Sequence, residues 1–131
     1  MIAIKFRAYL VDANKIVDIK TIDWDEDCNI ICINYLDEEG NIISINYPEG
    51  KDCLKYEDGI VLMQYTGFKD MNNKEIYEGD IVLYHNELYK VKRISSRFAI
   101  AQIAGTDLVD IGINADCMRV VGNIYVKQNL I

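Results

Sequence analysis

Apolar and polar residues alternate with a period of two through most of this chain, and Ile, Val, Tyr and Phe fill many of the apolar positions. Successive strand side chains point to opposite faces, so this pattern suits half-buried strands and not an amphipathic helix. Ile2, Ile4 and Phe6 alternate with Ala3, Lys5 and Arg7, which predicts a first strand. Further strands are expected at 16–24, 29–36, 42–47, 60–65, 81–84, 88–94, 97–104, 108–113 and 119–126. Turn residues punctuate them: Asp12-Ala13-Asn14-Lys15, Asp37-Glu38-Glu39-Gly40-Asn41, the loop 69–74, and His85-Asn86-Glu87. The Gly-Asn that closes the second of these predicts a hairpin with a short polar loop. One helical turn is expected, over 114–118 with Asn114 as its cap. The fold class that follows is mainly β, with β-rich α+β as its outer limit.

Residues 48–59 are polar and turn-rich, with Pro48-Glu49-Gly50 and Asp58-Gly59, and they divide the chain. Residues 1–59 form an acidic, β-rich N-terminal region of antiparallel strands. Residues 60–131 carry short strands joined by tight turns, which resemble a small SH3-like β-barrel, since closure hides strand edges.

Composition narrows the class further. Half of the 131 residues are apolar, so the chain is not disordered. No apolar run approaches the ~20 residues a membrane helix needs. Lys5 and Arg7 fall where a signal peptide would need an apolar core, so a cytoplasmic location is expected. The net charge of −7 is lopsided: residues 1–60 hold 6 Lys+Arg against 13 Asp+Glu, and residues 61–131 hold 8 of each. The deficit concentrates at Asp23, Asp25, Glu26 and Asp27 and again at Asp37, Glu38 and Glu39, where solvated turns are expected. Asp23, Asp25 and Asp27 alternate as calcium ligands do, but no Gly stands at the sixth position and no Glu at the twelfth.

Nothing here predicts catalysis. Cys28 and Cys32 lie about 13 Å apart along a strand, too far for one zinc ion, and Cys53 and Cys117 are distant in sequence. Cys32, between Ile31 and Ile33, reads as a small buried hydrophobe, and the lone His85 as a solvated hairpin tip. No nucleophile elbow, phosphate-binding glycine loop or ligand cluster is present, so no enzyme activity, cofactor or metal is expected.

The central segment is more specific. Leu62-Met63-Gln64-Tyr65-Thr66-Gly67-Phe68-Lys69-Asp70 runs on through Met71-Asn72-Asn73-Lys74-Glu75-Ile76-Tyr77-Glu78-Gly79-Asp80-Ile81-Val82. This stretch closely resembles the signature of the YopX family of phage and prophage proteins. Lys5-Phe6-Arg7-Ala8 is similar to the family's opening, and Val121-Gly122-Asn123-Ile124-Tyr125 to its closing segment. Tyr9 stands where the family usually has Trp, Asn72-Asn73 where Asn-Gly is common, and Val126-Lys127-Gln128-Asn129 replaces an acidic, Pro-containing tail. The resemblance implies a phage or prophage origin and a broad fold, and brings no activity with it.

The signature residues have two physical readings. Gly67, Gly79, Asp80, Gly122, Asn123 and Tyr125 read as fold specification: glycines for turns or close approach, Asp80 capping a turn through backbone N–H groups. Gln64, Tyr65, Thr66, Lys69, Asp70 and Tyr77 could instead form a recognition surface. Elsewhere, Tyr89, Lys90, Lys92, Arg93, Arg97 and Phe98 mix basic and aromatic residues, the composition of a nucleic-acid surface, although the overall charge opposes a polyanion. The leading expectation is a non-enzymatic interaction module whose partner is another protein or a second copy of itself, as a homo-oligomer. Nucleic acid is the alternative, and no membrane is expected.

Overall fold

The computed structural model describes residues 4–27, 30–46 and 59–126. Expectations for Ile2, Cys28, Cys53, the segment 48–58 and the tail beyond Val126 lie outside the described residues. Eleven strands are described: β1 (Phe6–Leu10), β2 (Lys15–Trp24), β3 (Ile30–Leu36), β4 (Ile42–Asn46), β5 (Ile60–Lys69), β6 (Glu75–Tyr77), β7 (Asp80–Tyr84), β8 (Glu87–Ile94), β9 (Arg97–Gln102), β10 (Leu108–Asp110) and β11 (Arg119–Asn123). The strand pairs with a defined register are antiparallel, and the protein is mainly β, as the alternation predicts. The chain forms two compact units, one of residues 5–62 and one of Ile4 together with the chain from Met63 onward, so β5 is shared between them. Among the described residues no helix is long and apolar enough to cross a membrane.

In the first unit the strands run in the order β4-β3-β2-β1, with the start of β5 next to β1. Ala8, Leu10, Ile30, Ile33, Tyr35 and Ile60 form the core, and Val17, Ile19, Ile22, Ile43 and Ile45 pack against it. β1 begins later than the alternation suggests: Ile4 is exposed and lies outside any strand. Cys32 is also corrected. It is half-buried and free, because Ile33 and Tyr35 take the inward positions of β3 and leave Cys32 on the other face with Asn34. The β3–β4 hairpin closes on Asp37, whose Oδ1 accepts the N–H groups of Glu39 (2.9 Å) and Asn41 (2.8 Å).

The second unit is built on a five-stranded sheet in the order β10-β9-β8-β7-β11. Val82, Tyr84, Tyr89, Val91 and Ile100 fill one face, with Ile76, Ile111, Ala115 and Met118 laid over them. His85 and Asn86, both at positive φ, form the two-residue turn between β7 and β8, so His85 is the expected hairpin tip and stacks on Tyr84 at 4.0 Å. The expected SH3-like barrel closure is not what the strand order describes. The sheet ends at β10 and β11, and the chain between them coils into a 3-10 helix, Gly112–Cys117. Burial of Ile111, Ala115 and Met118 fixes this turn.

That helix starts earlier than predicted, with Ile111 at its N-cap and no side-chain cap. Asn114 does other work: its Oδ1 accepts from the Tyr84 hydroxyl (3.2 Å) and its Nδ2 donates to the Asp110 carbonyl (2.9 Å). β6 is also new relative to the sequence reading. β5 continues past Tyr65 to Lys69, and its ladder with β6 shifts register between Tyr65 and Lys69, where Gly67 sits at φ +90°.

Candidate functional site

The signature segment runs from β5 through β6 into β7, and its buried polar side chains, Thr66, Asp70 and Asp80, turn toward the protein's own backbone. Thr66 is buried; its hydroxyl donates to the Ile76 carbonyl at 2.7 Å and accepts the Phe68 N–H at 3.2 Å. Tyr65 and Tyr77 face each other across the β5–β6 ladder with ring centroids 5.3 Å apart, and both are buried. Gln64 takes part through its backbone: its carbonyl accepts the Glu78 N–H (2.9 Å), and its N–H donates to Glu78 Oε1 (3.3 Å). Lys69 is exposed.

Two buried carboxylates organise the segment. Asp70, 5% exposed, holds its own loop through Oδ1, which accepts the N–H groups of Asn72 (2.8 Å) and Lys74 (2.9 Å). Its Oδ2 accepts the N–H of Val120, at 2.9 Å, near the start of β11. The Met71 N–H reaches the Met118 carbonyl beside it, at 2.9 Å. Asp80, 2% exposed, accepts the Tyr77 N–H on Oδ2 (2.8 Å) and the Asn123 amide on Oδ1 (3.2 Å). Asn123 Oδ1 in turn accepts the Tyr125 N–H at 2.9 Å. One carboxylate thus holds the start of β11 and the other its end. Between them Gly122 lies just after the bulge in the β11–β7 ladder.

Gly79 is where close approach is needed. It sits at φ +86°, and a Cβ there would lie 3.0 Å from Tyr125 Cε2 and 3.2 Å from Met63 Sδ. Burial pushes the Asp70 carboxyl up, but the N–H groups of Val120, Lys74 and Asn72, together with the Lys74 charge, outweigh it and hold it below the ordinary 3.8. Burial, then the Glu78 carboxylate, pushes the Tyr125 phenol up.

The two predicted sets therefore merge. Tyr65, Thr66, Asp70 and Tyr77, read from sequence as a recognition surface, are buried beside Gly79 and Asp80, and only Lys69 of that set is exposed. The basic and aromatic set divides instead. Lys90 and Lys92 lie on the outer face of β8 and Arg93 is exposed, while Tyr89 is in the core and Phe98 packs against it. Arg97 pairs with Asp110 at 3.4 Å. Alternation along β8 separates the charges from the rings that stacking would need.

Sequence reasoning missed the partners of the carboxylates, since the Val120 and Met118 backbone groups have no side-chain signal. It also missed that Asp70 repeats the Asp37 loop. In both, the Asp N–H donates to the carbonyl four residues on, at 2.8 Å and 2.9 Å, and Oδ1 accepts from the second and fourth residues after it. The third residue after each Asp, Asn73 or Gly40, has positive φ. An Asp followed three places later by Gly or Asn is the signal that could have found the pair. Among the described residues no three His, Cys, Asp or Glu side chains converge as metal ligands.

These features define an antiparallel β protein whose most specific segment is a carboxylate-held backbone clamp. The chain belongs to the YopX protein family, which it matches over residues 5–131. It is also similar in fold to a solved structure, protein EF1440 from Enterococcus faecalis, with 26% identity and a TM-score of 0.63 over 95% of each chain. No curated protein matches the sequence.

Proposed function

We propose that this chain is a phage- or prophage-encoded, non-enzymatic interaction module that binds another macromolecule in the bacterial cytoplasm and is able to self-associate. One observation carries this reading: the buried polar groups of the family signature, Thr66, Asp70 and Asp80, are engaged by the protein's own backbone, while large apolar side chains stand exposed elsewhere. Trp24, Ile42, Leu108 and Ile113 are among them. Exposed apolar surface suits contact with another macromolecule. In the first unit Trp24 is flanked by Asp23, Asp25, Glu26 and Asp27, which suits a basic protein partner.

Affinity capture from lysogenic cells followed by mass spectrometry tests this. A basic protein recovered with the native chain, and lost when Asp25→Asn, Glu26→Gln and Asp27→Asn are combined, is the expected result. Equal recovery by both baits removes the acidic surface from the reading. Recovery of bait alone, together with a one-chain mass by light scattering at micromolar concentration, overturns the module reading as a whole.

A further inference from the structure

Strand β4 is the outer strand of the first unit's sheet, and among the described residues no strand pairs with its open side. Proteins usually protect such edges with charge, Pro, bulges or brevity. β10 is three residues long and ends in Asp110, which pairs with Arg97; β11 is bulged and starts with Arg119. β4 has none of these devices. It reads Ile42-Ile43-Ser44-Ile45-Asn46, without charge or Pro, and its ladder with β3 is regular from Cys32↔Asn46 to Leu36↔Ile42.

We infer that β4 pairs with β4 of a second copy, antiparallel and centred on Ser44, to make a two-fold dimer. This rests on the self-association in the proposed function and gives it a surface. Ser44 at the centre sets Ile43 opposite Ile45 of the other copy, and Ile42 opposite Asn46. Ile43 and Ile45 already pack on the first unit's core and pair across β3 with Tyr35 and Ile33. The dimer therefore extends one row of large apolar side chains across the new junction, the arrangement that stabilises paired strands.

Charge selects the antiparallel direction. Asp37, Glu38 and Glu39 lie in the loop that leads into β4. Parallel pairing would set the two acidic loops side by side at the ~4.8 Å strand spacing. Antiparallel pairing about Ser44 puts Asn41 of each copy about 20 Å apart at ~3.4 Å per residue, beyond the screening length of about 8 Å in physiological salt.

Sedimentation velocity on the intact chain at tens of micromolar tests the pairing and its register. The native chain is expected at twice the 15.1 kDa of one chain. Combining Ile42→Lys with Asn46→Lys sets lysine opposite lysine at both ends and halves the mass. Combining Ile42→Lys with Asn46→Glu sets opposite charges there and restores the two-chain mass, which also shows that the substitutions do not act by unfolding. A native chain at one-chain mass overturns the inference, and the module reading survives if a partner is still captured. A native oligomer that the double-lysine variant leaves intact, or a double-lysine monomer that Asn46→Glu does not rescue, also overturns the inference and leaves self-association standing.

Discussion

Asp70 and Val120 are fifty positions apart in sequence, and a 2.9 Å hydrogen bond from the Val120 N–H to Asp70 Oδ2 joins them inside the second unit. The same carboxylate closes its own loop through Oδ1. Local turn and long-range strand placement therefore depend on one side chain. Asp70→Asn keeps the shape, but an amide cannot accept on both sides, so the Val120 N–H or the loop loses its acceptor. A loss of about 2–3 kcal/mol is expected from urea denaturation.

The Asp70 carboxyl also sets an acid limit. Its folded-state value lies below the ordinary 3.8, so its stabilisation is complete above that value and is lost as pH falls through the folded one. Native protein should lose stability below about pH 4, and Asp70→Asn should flatten that slope. Asp37, held low in a solvated copy of the same loop, contributes less, and Asp37→Asn should leave most of the slope in place. Denaturation midpoints measured across pH 2.5–6 by circular dichroism check both statements, with the range centred about the ordinary carboxyl value.

Asp80 and Asn123 should behave as one unit. Asp80→Ala leaves the Tyr77 N–H without its carboxylate acceptor in the interior and is expected to cost about 3 kcal/mol. Asn123→Ala should cost less in the Asp80→Ala background than in the native chain, by about 1 kcal/mol. A double-mutant cycle with strict additivity would contradict the geometry.

Two glycines with nearly the same φ separate strain from crowding. Gly40→Ala meets open space at φ +84° and should cost about 1 kcal/mol, the backbone penalty alone. Gly79→Ala adds contact with the Tyr125 ring and Met63 Sδ at φ +86° and should cost at least about 2 kcal/mol. Equal midpoints for the two variants would show that the Tyr125 ring gives way freely.

The alternation made most strands legible, because it reports which face of a strand meets the core, and Ile33, Tyr35, Val82, Tyr89 and Val91 are buried as their parity implies. It did not reveal closure, since an edge strand and a barrel strand alternate alike. β6 went unread because three residues are too few to show a period, and Asn114 because a cap and a mid-helix acceptor are the same residue type. The signature was legible as a motif but its direction was not. Thr66 and Asp70 are polar, and only burial with backbone hydrogen-bond partners reveals that they point inward.

The outer face of β8 offers a last test. Lys90→Glu with Lys92→Glu should move stability by less than about 0.5 kcal/mol, since both side chains are exposed. With Tyr89 in the core, a labelled single-stranded oligonucleotide should show no anisotropy change with the native chain even at low salt. A salt-dependent signal abolished by the double variant would restore the nucleic-acid reading.

The Asp70–Val120 bond has a consequence for biosynthesis. A ribosome delivers Asp70 long before Val120, so the emerging chain holds a carboxylate whose second oxygen lacks its backbone partner until β11 has been made. Truncated products ending before residue 119 cannot form that bond, whereas a chain that includes β11 can. The clamp thus closes only in a chain that extends through β11.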